Sequence, residues 1–395
     1  MSALSGLRVL DVSQVLAGPY AAMLLADMGA DVIKIEAPGH GDHSRQMAPQ
    51  ISENVSGAFL AVNRNKRGIS LNLKHPEGQR VLRQLAATAD IFIENFRPGV
   101  ASRLAMDFET LSAVNPRLIH CSISGFGQTG PYAGRGCFDL VAQGMSGLMS
   151  VTGTADGGPV KCGIPITDLG AGLFSTYGIL AALAARERTG RGQQVDTSLF
   201  ETGLGLEVWE AVEYFHTGNT PQPTASAHRL GAPYQAFQCS DGYINVGADG
   251  ALHWPLFCNV IGRPELLTDA SFETNPDRLA NLPALVELIE AKTSTEDRAY
   301  WLERLEAVGI PAGQINTVPE ALVDPQTVAR EMVQDVEHPT HGTLKALGPV
   351  VKLSDTPARI VSAAPDQGQH TTEILTELGI SADELARLRA EGAVA

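Results

Sequence analysis

Basic residues are in short supply. The 395 residues include 29 Lys and Arg against 44 Asp and Glu, a formal net charge of −15. Nucleic acids and anionic membrane surfaces both demand broad basic faces, so neither is an expected partner. Any anionic ligand must instead be met by a local basic cluster. Cysteine is sparse too: Cys121, Cys137, Cys162, Cys239 and Cys258 are odd in number and widely spaced, with no CxxC pair. They read as buried thiols of a reducing compartment, with neither a disulfide framework nor a metal site. The first residues, Met1-Ser2-Ala3-Leu4-Ser5-Gly6, lack the basic and apolar regions of a signal peptide, and the expected location is cytoplasmic. The longest apolar run, 171–185, is broken by Ser175, Thr176 and Gly178. It is short for a bilayer span and reads as a buried helix.

Several catalytic and phosphate-binding signatures are also missing. No GxxxxGK[ST], HExxH or GxSxG occurs. The first strand-to-helix turn, Ser13-Gln14-Val15-Leu16-Ala17-Gly18-Pro19, holds one glycine where the GxGxxG fingerprint needs three. A pyrophosphate would meet side chains there instead of bare backbone, which argues against NAD. Glu36 ends the next strand, where a ribose-binding acid would stand. Gly18 and Pro19 still suit a tight turn into a helix.

What is present alternates between strand and helix patterns. Strands are expected at 7–12, 31–36, 91–94 and 118–123, with helices at 19–28, 77–88 and 108–114. Such β-α-β repetition implies a Rossmann-like, mainly parallel sheet covered on both faces. A helical pattern at 205–216 runs into the linker-like Thr217-Gly218-Asn219-Thr220-Pro221-Gln222-Pro223-Thr224. A hairpin follows, 234–239 and 243–246, turned by Ser240-Asp241-Gly242. Helices fill 253–304, then strands begin near 336 and a last helix covers 381–391. The expected fold is α/β: a large Rossmann-like domain (1–200 and 330–395), a linker (201–224), and a smaller inserted α+β domain (225–325).

Asp168 stands between the extended stretch Gly163-Ile164-Pro165-Ile166-Thr167 and an apolar helix pattern at 169–185. The unpaired N–H groups and positive dipole end of a helix start favour an ionised carboxylate. Such a group can attack an activated acyl carbon and carry it covalently. The commoner job for Asp at this place is a simple N-cap, and on the residues alone both readings stand. Basic residues concentrate in Asn63-Arg64-Asn65-Lys66-Arg67, with Lys74 behind them and Arg97 and Arg103 after the strand 91–94. Cations at the carboxyl edge of a parallel sheet suit a polyphosphate; the alternative is a solvated surface run. Two glycine loops, Gly125-Phe126-Gly127-Gln128-Thr129-Gly130-Pro131 and Gly153-Thr154-Ala155-Asp156-Gly157-Gly158-Pro159, permit close backbone approach or are plain turns. His228 and Arg229 form a pair able to receive a carboxylate or simply lie exposed.

Taken in order, several segments resemble the class III CoA-transferase family, of the CaiB/BaiF type. They are Gly6-Leu7-Arg8-Val9-Leu10-Asp11, Leu16-Ala17-Gly18-Pro19, Gly29-Ala30-Asp31-Val32-Ile33-Lys34-Ile35-Glu36, Asn63 to Arg67, and Glu94-Asn95-Phe96-Arg97-Pro98-Gly99. Ser124 to Pro131, Thr189-Gly190-Arg191-Gly192-Gln193 and Gln367-Gly368-Gln369-His370-Thr371 complete the set. The resemblance implies that Asp168 is the acyl-carrying nucleophile. It implies coenzyme A contacts from Val15, Leu16, Ala17, Leu71, Asn72, Lys74, Asn95, Phe96, Arg97, Arg103, Phe138 and Asp139. It places Gly127, Gln128, His228 and Arg229 near the substrate acid. No permanently bound cofactor and no metal are implied, only a coenzyme A thioester as substrate, a carboxylic acid as its partner, and an interlocked homodimer. α-Methylacyl-CoA racemases share the fold but need a histidine before the aspartate, and here Gly136-Cys137-Phe138-Asp139 puts Phe138 there. Phenylalanine exchanges no proton, so the two-base racemase reading loses a partner. Formyl-CoA:oxalate enzymes carry glutamine where Leu16 stands and a four-glycine run absent here, whereas Ala227-His228 and Pro233-Tyr234-Gln235-Ala236-Phe237 look more like members acting on succinate and glutarate-type acids.

Overall fold

The computed structural model describes residues 2–52 and 55–395. The chain folds as two units, one of 1–149, 161–219 and 326–395, the other of 150–160 and 220–325.

The larger unit is built on six parallel strands, β1 (Arg8–Asp11), β2 (Asp31–Glu36), β3 (Lys66–Ser70), β4 (Ile91–Glu94), β5 (Ile119–Ser124) and β6 (Gln194–Ser198), in the spatial order β3-β2-β1-β4-β5-β6. That is the doubly wound Rossmann order. Every residue of β4 and β5 is buried, as expected where helices cover both faces. Alternate residues feed opposite cores, following the two-residue period of a strand. Leu10, Ile33, Ile69 and Phe92 pack with Val81, Leu82 and Leu85, and with Leu375 and Leu388 near the C-terminus. Val9, Val32, Ile91, Ile93 and Ile123 pack with Ala21 and Leu25, and with Ala171 and Ile179. Each fully buried aliphatic side chain contributes roughly 1.5–3 kcal/mol.

Five helices of the larger unit matter below. They are α1 (Ala17–Asp27), α2 (Asp139–Ser146), α3 (Ile166–Thr189), α4 (Leu199–Leu206) and α5 (Val208–Thr217). The apolar run read as 169–185 extends to 24 residues in α3. By length and composition alone α3 could cross a membrane. Here it packs on α1 and α4, burying Gly170, Ala171, Gly172, Ser175 and Ile179. Helices α4 and α5 occupy most of the stretch expected to be a linker, and both belong to the larger unit.

The second unit holds an antiparallel hairpin, Tyr234–Cys239 with Gly242–Gly247, joined by Ala312–Gln314 as a third strand. Phe237, Ile244, Trp254, Phe257, Ile289 and Trp301 form its core. The glycine loop at 153–159 groups with this unit, although the sequence expectation placed it within 1–200.

Candidate active site

In an open α/β sheet, ligands sit beyond the carboxyl ends of the strands where the order reverses, here between β1 and β4. The two loops that leave those ends are stitched together. Gln14 N–H donates to Asn95 Oδ1 at 2.8 Å, and Asn95 Nδ2 donates to the Gln14 carbonyl at 2.7 Å. Above them lies a cavity of about 260 Å³, walled by Gln14, Val15, Leu16 and Ala17, by Asn95 and Phe96, by Ile123, Ser124 and Gly125, and by Cys137, Phe138, Asp168 and Leu199. Seven residues expected from sequence thus share one space: Val15, Leu16, Ala17, Asn95, Phe96, Phe138 and Asp168.

Glycine brings Asp168 there. One helical turn beyond it, Gly172 lies so close to α1 that a Cβ would fall 2.8 Å from the Ala17 carbonyl. Any side chain would force α3 away from the start of α1, because that neighbour is backbone and cannot give way. Gly170 likewise admits the Thr202 methyl at 2.7 Å from a would-be Cβ. Gly125, on the opposite wall, makes room for Cys137.

Asp168 is not the helix cap. It is the third residue of α3, after Pro165 at the cap position. The cap is supplied from outside: Asp139, first residue of α2, accepts from the Thr167 N–H at 3.0 Å and the Thr167 hydroxyl at 2.7 Å. Its other oxygen accepts from Gln143 Nε2 at 2.7 Å, and Gln143 Oε1 accepts from the Cys162 N–H at 2.8 Å. Asp139, expected to contact coenzyme A, therefore spends both oxygens inside the protein. No donor among the described residues bonds the Asp168 carboxylate. Burial, then the nearby Asp139 charge, push its pKa up to about 6. The sequence reading expected the helix start to favour the ionised form; desolvation and like charge outweigh that dipole. At pH 7 roughly nine-tenths of the group is still ionised, by about one unit of margin, so the carboxylate is both available and more basic than usual. The Cys137 thiol beside it is pushed up by burial and by the Asp168 charge, which keeps it protonated and a poor competitor as nucleophile.

The dense basic cluster is not a phosphate site. Arg64 grips Asp27 at 2.6 and 3.0 Å. Lys66 is fully buried against Asp11 at 2.8 Å, the Pro19 carbonyl and Asn63. Arg67 is shared by Asp31, Glu373 and Glu377. Glu36, the candidate ribose ligand, is clasped by Arg45 through two 2.7 Å bonds. Cations without carboxylate partners among the described residues include Lys74, Arg97 and Arg103, all exposed. They follow β3 and β4, on the carboxyl side of the sheet, where a polyphosphate tail would lie.

Other expected contacts are placed elsewhere. Leu71 is wholly buried and bridges Val394, while Asn72 N–H bonds the Ala393 carbonyl, so both anchor the chain's end. The Gly127 N–H bonds Ser124 Oγ and the Gln128 N–H bonds Asp196, and neither residue lines the cavity. His228 and Arg229 belong to the second unit, where the His228 ring packs edge-on to Tyr234 at 4.9 Å and Arg229 bonds the Gln222 carbonyl.

A His338, His341 and Asp366 cluster has ligand-like spacing. However, His338 Nδ1 accepts from the Thr340 N–H, leaving Nε2–H to donate to the Ala364 carbonyl at 3.1 Å. That tautomer offers no lone pair to a metal.

Sequence reasoning missed Glu94, Lys34 and Asp42. Glu94 is buried at the carboxyl end of β4, accepts the Phe96 N–H at 2.7 Å, and is pushed up to about 7 by burial. Lys34 had a signal: a lone charge inside an otherwise apolar strand core.

Comparison with known proteins identifies the family. The model of CoA-transferase family III matches residues 4–371. The chain belongs to CoA-transferase family III. It is therefore a CoA-transferase. Similar family members include the succinyl-CoA:glutarate CoA-transferase of Mus musculus, 39% identical over 96% of this chain and 87% of that protein. The succinate–glutarate CoA-transferase of Agrobacterium fabrum is 38% identical over 95% of each. A crystal structure of a CaiB/BaiF family protein from Brucella suis superimposes with a TM-score of 0.86, at 38% identity over 95% of this chain and 99% of that one.

Proposed function

We propose that this CoA-transferase moves coenzyme A from succinyl-CoA or a similar short acyl-CoA to a dicarboxylic acid of the glutarate type, with Asp168 as the covalent carrier. The observation that carries the reading is the Asp168 carboxylate, free of protein donors among the described residues, inside the switch-point cavity.

The Asp168 carboxylate attacks the thioester carbonyl, the C–S bond breaks, and coenzyme A leaves as thiolate. The thiolate attacks the aspartyl carbonyl of that mixed anhydride, releasing the donor acid and leaving an aspartyl-CoA thioester. The acceptor carboxylate attacks this thioester and expels the thiolate, which then takes the acceptor acyl group from the second anhydride. Asp168 is regenerated and acceptor acyl-CoA leaves. Each step exchanges one activated acyl group for another, so ATP and metal have no part. Covalent capture divides one hard exchange into easier ones. The N–H groups of Leu16 and Ala17, in the cavity wall and without partners among the described residues, suit the developing oxyanions. Lys74, Arg97 and Arg103 suit the phosphates.

Support for the acid comes from relatives whose names specify glutarate and from Leu16 in place of the glutamine of formyl-CoA:oxalate enzymes. The partner is a second copy of the chain. The larger unit leaves large apolar side chains exposed on α2 (Leu140, Val141, Met145), on α3 (Leu173, Phe174, Tyr177) and on α5 (Val212, Tyr214, Phe215), with Tyr177 and Phe215 70% and 75% exposed, and apolar surface of this kind suits a protein–protein contact.

The test is to incubate the enzyme with succinyl-CoA, quench during turnover, digest and weigh the peptide bearing Asp168. Added mass there, removed by hydroxylamine and absent in Asp168→Asn, is the expected result. Adduct on another residue, or full turnover by Asp168→Asn, rejects it.

A further inference from the structure

Val15 walls the cavity with φ of +67°. A β-branched residue rarely enters that left-handed region, and it persists only where its surroundings impose it. The constraint is visible. The Val15 N–H donates to Asp42 Oδ1 at 3.0 Å, and the same oxygen accepts from the N–H and hydroxyl of Ser44, each at 2.8 Å. Asp42 Oδ2 accepts from Lys34 Nζ at 2.7 Å, and that ammonium also donates to the Ser13 carbonyl. Lys34 and Asp42 are both buried. Asp42 is itself aimed by its own N–H, which donates to Glu36 Oε1 at 2.8 Å. One ion pair thus grips the turn on both sides of Gln14, while Asn95 holds Gln14 itself.

We infer that Asp42 is a positioning residue for acyl-CoA: held by Lys34, it clamps the Val15 amide and keeps the 13–17 turn in the strained shape that presents Leu16 and Ala17 to the cavity. The inference rests on the reading of this cavity as the acyl-CoA site. Glycine at 15 would adopt the same φ without strain but with more freedom. A clamped valine gives one shape before substrate arrives, and binding then spends nothing on ordering the turn. Burial alone would raise Asp42, but the Lys34 charge and the hydrogen bonds from Lys34, Ser44 and Val15 hold it at about 2, so the clamp stays charged across the working range.

The test uses the full-length enzyme with succinyl-CoA and glutarate. Asp42→Ala is expected to raise KM for succinyl-CoA about tenfold or more, with KM for glutarate unchanged. Adding Val15→Gly to Asp42→Ala should recover part of the loss, because glycine needs no clamp. Ser44→Ala, which removes a contact to Asp42 but none to the turn, should leave KM unaltered. A lowered melting temperature with unchanged KM in Asp42→Ala makes the pair a fold stabiliser only and overturns the inference, as does no recovery with glycine. Should Asp42→Ala fail to fold, amide exchange of the wild type decides. The Val15 amide should be as protected without succinyl-CoA as with it; protection that appears only on binding means that the ligand moulds the turn. If the wild type forms no Asp168 adduct, the proposed function fails instead. If the adduct forms and only KM is indifferent to Asp42, the positioning role alone is lost.

Discussion

Two sets of buried carboxylates flank the switch point, and they behave oppositely. On the β3-β2-β1 side, Asp11 and Asp42 lie against Lys34 and Lys66. Burial alone would raise both acids, yet Lys34 and Lys66 hold Asp11, and Lys34 with the Ser44 and Val15 amides holds Asp42, below the usual range. On the side of β4 and α3, Glu94 and Asp168 have no cation partner among the described residues, and burial lifts them to about 7 and about 6. A buried carboxylate stays firmly ionised where a counter-charge neutralises it and becomes more basic where none does. The cations follow the same division. Arg64, Lys66 and Arg67 are consumed by the fold, whereas Lys74, Arg97 and Arg103 are exposed and without carboxylate partners among the described residues.

Breaking the paired side should have the largest effect. Lys66→Ala leaves Asp11 with a lost partner in the interior, and removing one member of a buried pair costs about 3–5 kcal/mol. Denaturant titration should show that loss; a variant as stable as wild type would erase the contrast. Glu94→Gln is the next in size and probes the unpaired side. A folded pKa near 7 against an ordinary 4.5 means that the native state holds its proton more tightly. The stability this gives is complete below about pH 4.5 and is lost as pH rises through 7, up to about 3 kcal/mol. The glutamine variant should show a flatter stability profile between those limits.

Arg97→Ala should leave the melting temperature in place and raise KM for succinyl-CoA roughly tenfold, about 1.4 kcal/mol. A stability loss without a KM change would mean that Arg97 belongs with the scaffold. The smallest effect concerns pH. Adduct formation needs ionised Asp168 and should fall as pH drops through about 6. In Asp139→Asn that acidic limb should move to lower pH, because a neighbouring negative charge is gone; a limb that stays put assigns the whole shift to burial.

Much of this was legible in the chain itself. The alternation of apolar runs marked the strands, and Pro and Gly marked the turns, because these preferences act over a few residues. Asp168 stood out by position and by family resemblance. The capping question was not legible, since the cap comes from Asp139, far back in the chain and on another helix. The run Asn63 to Arg67 misled for a related reason: a string of cations looks the same in sequence whether or not carboxylates wait for them in space. Leu71 and Asn72 gave no hint that the chain's end would occupy them.

Local chemistry, then, was the sequence's own contribution: the element types, the Rossmann-like layout implied by β-α-β repetition, the candidate carrier and the family. Tertiary structure alone decided which charges are spent, which carboxylate is left unpaired, and how a glycine crossing of two helices sets that carboxylate beside the first turn. Pairing and desolvation depend on distances between residues far apart in the chain, and those distances exist only once the layers have packed.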